Sequence, residues 1–319
     1  MSASPLSYLA SGGPAAAPVT RLAWGLGGVA VAVVIVIGLL LALAIWRRRS
    51  PPAQSGDLAV SGPPGTGMVW IYGGLAISIP ILAACTVWTL VVLAQVMHPA
   101  RPPVLTLQVT AHQWWWEVRY LDPAGGEAFV TANEIHIPAG QPVRVELTSQ
   151  DVIHSFWVPR LGGKMDVIPG VQNVTWIQAD KPGVFRGECG EFCGLQHARM
   201  AFIVFADAPE AYGRWRSGQL ASPPALPPGE RSRGERVFLD RCAGCHTVSG
   251  TDAGGIAGPD LSHLASRTSL AAGLIPNDPS HLMAWIADPQ AVKPGVLMPK
   301  VPLSEADREA LVTYLRSLS

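Results

Sequence analysis

Between Cys189 and Met200 the chain places two thiols (Cys189, Cys193), an imidazole (His197) and a thioether (Met200), with Phe192, Leu195 and Phe202 keeping the surroundings apolar. Thiolate with thioether is a soft donor set, which suits copper better than magnesium, calcium or manganese. Structural zinc is the rival, but zinc rarely uses Met, and no second Cys/His pair follows at finger spacing. The plainest alternative is a disulfide-prone Cys pair beside an unrelated His and Met. Two thiolates can bridge two copper ions yet leave each short of nitrogen donors, so a further His is required. His154, in Val152–Trp157 just after an expected strand, is the best candidate. His112 and His136 compete from β-like segments, and spacing alone does not choose among them.

A second constellation is Cys242–Ala243–Gly244–Cys245–His246. C-x-x-C-H is the attachment signature of haem c, with two thioether bonds to the porphyrin and the following His as proximal ligand. A redox C-x-x-C shares the first four positions but belongs in a βαβ context, which this segment lacks. Met298, just before the last expected helix, is the natural sixth ligand for electron transfer; Met283 competes, but its neighbours His281, Leu282 and Trp285 read as a helix in which Met is packing. His263 and His281 read as surface or structural.

The elements that must position these groups follow from patterning. Residues 1–21 are rich in Ala, Pro, Gly and Ser and carry no basic residue before Arg21, so they lack the n-region of a signal peptide. Residues 22–46 and 68–97 are uncharged runs long enough to cross a bilayer, with Trp24 and Trp46 near the ends of the first and Pro80, an expected kink, inside the second. Arg47, Arg48 and Arg49 place the connection 47–67 on the cytoplasmic side by the positive-inside rule, so both termini and everything after His98 lie outside the cytoplasm. Residues 98–220 form one domain in which Val104 to about Ala206 reads as all-β, a sandwich or small Greek-key barrel: Val104–Thr110 and Val143–Leu147 alternate apolar and polar residues, and Gly and Pro punctuate at turn-like intervals. The Cys189–Met200 stretch is then a loop between Val184–Arg186 and Ala201–Phe205, and Ala208–Leu220 a short helix. The proline-rich stretch 221–229 is a spacer that keeps its neighbours apart. Residues 230–319 form a small helical domain, with Val237 and Phe238 on one face of its first helix and a last helix that starts at Ser304, capped in S-x-x-D form with Asp307.

Composition agrees. Charged residues make up only 14% of the chain, and the apolar content concentrates near the N-terminus, which points to membrane segments; the net charge of zero leaves no basic field for nucleic acid. Four of the five cysteines sit in the two clusters, and Cys85 stands alone in an apolar run as inert packing. No general acid, base or nucleophile constellation competes.

Taken together, His154–Ser155–Phe156, Gly170–Val171–Gln172–Asn173, Ala179–Asp180 and the run Gly187–Met200 resemble subunit II of haem–copper cytochrome c oxidases, and the C-terminal domain resembles a fused cytochrome c, as in the caa-type arrangement. The resemblance covers nearly all of the chain beyond residue 20. It implies a two-helix transmembrane hairpin, a cupredoxin Greek-key barrel and an all-α class I cytochrome c domain. It implies a binuclear copper centre bridged by Cys189 and Cys193, with nitrogen from His154 and His197, Met200 as weak axial ligand and Glu191 through its carbonyl. The Glu191 side chain would reach a magnesium or manganese ion shared with subunit I. Trp114, in His112–Gln113–Trp114–Trp115–Trp116, is similar to an exposed Trp at which electrons from a cytochrome c enter, while at least one of the three Trp belongs in the barrel core. The implied function is the electron-input subunit of a proton-pumping terminal oxidase in a bacterial cell membrane, taking electrons from a cytochrome c or other donor and partnered by subunits I and III. The alternative is the input subunit of a nitric oxide reductase of the same superfamily. A quinol oxidase subunit would lack the Cys pair, and a copper-delivery protein would need neither covalent haem nor membrane helices. The chain departs from the family in one place: no acid occurs in the second apolar run, which removes the residue that would aid proton uptake.

Overall fold

The computed structural model of the chain describes residues 7, 9–47, 66–221 and 232–319. Alternation with period two fixes the strands of the β-domain. In β1 (Leu105–His112), Leu107, Val109 and Ala111 are fully buried; in β2 (Trp115–Leu121) it is Trp116, Val118 and Tyr120. β3 (Glu127–Ala132) and β4 (Glu134–Pro138) follow, and β5 (Val143–Ser149) buries Val143, Val145 and Leu147. The remaining strands are β6 (His154–Trp157), β7 (Met165–Val167), β8 (Asn173–Ile177), β9 (Gly183–Cys189) and β10 (Ala201–Asp207). They form two five-stranded sheets, ordered β3-β2-β1-β5-β8 and β4-β10-β9-β6-β7. The β1–β5 and β4–β10 pairs are parallel and the others antiparallel, the mark of Greek-key crossovers rather than a simple meander. Trp116 joins the layers, its ring edge-on to Phe156 at 5.9 Å and Phe202 at 5.3 Å.

The apolar helices α1 (Ala16–Arg47) and α2 (Thr66–Val96, with Pro80 inside it) form a unit of their own. Nearly all their side chains are exposed in the isolated chain, as expected of helices that a bilayer covers. They start a few residues earlier than the apolar runs, at Ala16 and Thr66. Cys85 is a free thiol within α2. Arg48 and Arg49, on which the cytoplasmic assignment leans, lie outside the described residues.

After β10 comes α3 (Pro209–Leu220), whose Trp215 packs on Tyr120, Phe129 and His136 of the β-domain. The C-terminal domain comprises α4 (Arg233–Arg241), a short ribbon of β11 (Ser269–Leu270) and β12 (Ile275–Pro276), α5 (Pro279–Ala287), α6 (Pro289–Val292) and α7 (Glu305–Ser317). Ser232 and Ser304 cap α4 and α7 by accepting from the amides of Glu235 and Asp307. Phe238, Leu282, Leu311 and Leu315 make its core. The ribbon is the one departure from an all-α reading.

Residues 222–231, which contain most of the spacer, also lie outside the described residues. The expectation that its neighbours stay apart is corrected: the two domains pack. Glu134, at the start of β4 and 3% exposed, accepts from the amides and hydroxyls of Thr268 and Ser269 at 2.7–3.1 Å. A buried carboxylate requires donors, and here the other domain supplies them.

Candidate functional site

β9 ends on Cys189, β10 begins at Ala201, and the loop between them turns back through a short 3₁₀ turn, His197–Arg199. The sulfurs of Cys189 and Cys193 stand 3.7 Å apart, too far for a disulfide, and both residues are buried free thiols. His197 Nδ1 lies 3.7 Å and Met200 Sδ 3.8 Å from Cys193 Sγ, while the carbonyl of Glu191 lies 3.1 Å from Cys189 Sγ. His154 arrives from β6, which pairs with β9, and its Nδ1 stands 3.8 Å from Cys189 Sγ. Among the described residues, one atom each of His154, Cys189 and Cys193 fall within 4.8 Å of one another. The expected set of six thus lies around the two sulfurs, His154 and the Glu191 carbonyl beside Cys189, His197 and Met200 beside Cys193.

The electrostatics fit a soft cation. The hydrogen bond between the two thiols holds Cys189 well below the usual thiol range and pushes Cys193 up. Burial opposes a charged His154, but hydrogen bonds to Cys189 and Asp151 outweigh it and raise its pKa. Asp151 is a functional residue absent from the sequence reading. Its carboxylate accepts from His154 Nε2 at 2.8 Å and from the amides of Gln113 and Val152 at 2.6 Å, which turns Nδ1 toward the sulfurs. Its only sequence signal is its place three residues before His154. His136 and His112 stay out of the cluster: His136 pairs with Asp207 at 2.6 Å, and His112 stacks on Trp115 at 4.2 Å. The Glu191 carboxylate, 44% exposed, pairs with Lys164 at 3.2 Å.

In the C-terminal domain, Cys242, Cys245, His246 and Met298 line one cavity of about 310 Å³, walled by Leu261, Leu264, Leu282, Ile286, Leu311 and Leu315. Met283 does not line it and packs against the core instead. His246 Nδ1 donates to the Pro259 carbonyl at 2.7 Å, a partner that can only accept, so Nε2 is the free ligating nitrogen; burial lowers the pKa and keeps the ring neutral. Gly258 is needed there, since a Cβ would sit 2.6 Å from the imidazole. Burial and the neighbouring Cys245 push the Cys242 thiol up to about 11, unlike the acidic thiol of a redox C-x-x-C. Arg267 lines the same cavity, and its buried Nε has no hydrogen-bond partner among the described residues, which suits the propionate of a haem. These residues fit haem c.

Trp114 links the two sites. Its indole donates to the Cys193 carbonyl at 3.0 Å, and the residue is among those that line the haem-side cavity. The expectation of an exposed Trp114 is corrected: it is 8% exposed, because the C-terminal domain covers it. Trp116 is the core member of the trio, and Trp115 is half-buried.

Comparison with known proteins is consistent with this geometry. Residues 121–207 match the family described as cytochrome c oxidase subunit II, periplasmic domain, and residues 232–319 match cytochrome c. The chain is similar to a cytochrome c oxidase subunit 2 of Alkalihalophilus pseudofirmus, 44% identical over 66% of this chain and 60% of that one. A cytochrome c oxidase subunit 2 of Bacillus sp. is 32% identical over 86% of this chain and 80% of that one. The solved periplasmic domain of subunit II of cytochrome oxidase of Bradyrhizobium japonicum is 32% identical, covering 38% of this chain and 96% of that chain with a TM-score of 0.35.

Proposed function

The chain belongs to the cytochrome c oxidase subunit II family, and from that premise we propose that it is the electron-input subunit of a proton-pumping terminal oxidase. In that role the chain would hold a covalent haem c as the point of electron acceptance and a binuclear copper centre as the point of delivery toward subunit I, the site of oxygen reduction. Haem and copper supply the one-electron chemistry; the chain supplies ligands, dryness and position. Cys242 and Cys245 would hold the haem covalently, with His246 and Met298 as ligands to its iron. Cys189, Cys193, His154, His197, Met200 and the Glu191 carbonyl would hold the copper pair, with Asp151 orienting His154. The Glu191 carboxylate remains accessible to a magnesium or manganese ion shared with subunit I.

The observation that carries the reading is Trp114, which lines the cavity of the C-x-x-C-H motif and bonds to Cys193 of the soft-donor loop. That placement suits a relay from the fused haem, not an inlet for an external cytochrome; the outside donor then meets the haem domain. No observation favours the nitric oxide reductase alternative.

For topology, the support is the N-terminal segment. Gly12 donates to Arg160 O at 2.7 Å and accepts from Asp180 N at 2.8 Å, so residues before α1 bind the domain that follows α2. Two crossings return the chain to the side it left, with both termini and both soluble domains outside the cytoplasm. Subunits I and III are the expected membrane partners.

The test is metal and haem analysis of the purified full chain, which should contain two coppers and one covalent haem. A single copper, or zinc, overturns the binuclear assignment. Met298→Ala should abolish the low-spin Met/His haem spectrum; an unchanged spectrum moves the sixth ligand to Met283.

A further inference from the structure

The contact between the two soluble domains is built from buried polar groups, and it converges on Trp114. Lys293, 1% exposed, extends from the haem domain and donates through Nζ to the Trp114 carbonyl at 2.8 Å and to Ala271 O at 3.1 Å. The next two residues reach the soft-donor loop: Pro294 O accepts from Gln196 Nε2, and Gly295 lies against the Leu195 side chain. On the far side of the contact, Glu134 gathers four donors from Thr268 and Ser269. Between these two points Ala201 N donates to Ala272 O at 3.2 Å, so the first residue of β10, next to Met200, is tied to the haem domain by its backbone. Ala271 and Ala272 both adopt left-handed backbone (φ 53° and 64°), a conformation that costs a residue bearing a Cβ and is kept where surrounding contacts impose it.

A mobile, transiently docking domain would present a hydrated, exchangeable face. A buried lysine with one of its two acceptors across the boundary, and a buried carboxylate whose donors all lie across it, do the opposite: separation would leave both to be resolvated and would open Trp114 to water.

We propose that Glu134 and Lys293 are positioning residues that clamp the haem domain onto Trp114, so that electron transfer from haem to copper is a fixed intramolecular step rather than one gated by docking. This rests on the electron-input reading above. The step is a single-electron exchange, haem iron oxidised and the copper pair reduced, with no bond made or broken and no proton moved. The proline-rich spacer then serves to connect the clamped domains, and transfer does not depend on its length.

The experiment compares the full-length, metal- and haem-loaded protein with Lys293→Met, Glu134→Gln and, from the other side of the same contact, Thr268→Ala. Metal and haem content are measured first; a shortfall in the unmodified protein indicts the electron-input reading and not the clamp. Hydrogen exchange is then read at the amides of Ala201, Thr268 and Ser269, and haem-to-copper equilibration is read after flash reduction. The clamp predicts that Lys293→Met, which touches none of these three amides, speeds exchange at all of them by about tenfold or more and slows equilibration by a similar factor. Glu134→Gln and Thr268→Ala should move both readouts in the same directions. Unchanged exchange at Ala201 in both Lys293→Met and Glu134→Gln overturns the clamp. So does faster exchange with unchanged equilibration, since transfer would then not use this docked geometry. Should Lys293→Met fail to load or fold, Thr268→Ala decides the matter on the same readouts.

Discussion

Asp151 does for the copper site what no ligand can do for itself: it selects the His154 nitrogen that faces the sulfurs. Its replacement by Ala should leave the β-domain folded and lower copper affinity by about 10–100-fold, the usual cost of losing such a partner. Titration against a competing copper chelator measures this, and unchanged affinity would mean that packing against Trp116 alone orients the ring. His136 makes the contrasting case of a histidine used for structure. Burial, its largest influence, lowers its pKa despite the raising effects of Asp207 and the nearby Glu134 carboxylate. The unfolded chain therefore takes up this proton first as pH falls below about 6.5, so His136 removes stability on acidification down to its own folded pKa. Relative to the unmodified protein, His136→Gln should show a flatter loss of melting temperature between neutral pH and pH ~5. An equally steep loss would assign the effect to other groups. Of the residues at this scale, the ligand types were legible because two Cys, a His and a Met crowded into one short loop make a donor set that only a soft metal uses in full. Asp151 was not, since an Asp near a strand end is usually solvated.

At the scale of elements, the haem domain depends on how closely α4 and α7 cross. A Cβ on Gly234 would stand 2.1 Å from the Ala310 carbonyl and 2.7 Å from Tyr314 Cβ, so Gly234→Ala must push the helices apart. Overpacking of this kind costs about 1–3 kcal/mol. Denaturant unfolding followed at the haem should show it, and a cost below a few tenths of a kcal/mol would mean that the crossing yields freely. The Ser304 cap of α7 is a smaller contribution, with Ser304→Ala expected to cost about 1 kcal/mol in the same assay. The cap was readable from S-x-x-D. The crossing was not, because nothing local distinguishes Gly234 from any other glycine near a helix start.

For the whole molecule, the decisive facts are an even number of membrane crossings and two soluble domains joined through Trp114. A maleimide that cannot cross the membrane should label a Cys introduced at Ser11 or Ser319 in intact cells and spare one at Ser50; labelling at Ser50 alone would invert the topology. On the proposed electron-input reading, the buried Trp114 makes the haem domain, rather than the copper loop, the place where an outside donor would deliver electrons.

The sequence by itself determined the chemistry. Donors grouped in one short loop, a C-x-x-C-H pentapeptide and two long uncharged runs are local patterns, and local spacing constrains them before any folding. Only tertiary structure decided which distant groups join them. His154, the best of three candidates in the sequence beside His112 and His136, lies 35 residues from Cys189, and Lys293 lies 179 residues from Trp114; at such separations sheet register and domain contact set the pairing, and spacing alone does not choose. For the same reason the exposed Trp114 expected from the sequence proved to be covered. Exposure is a property of what packs against a residue, and the domain that packs there begins more than a hundred residues later.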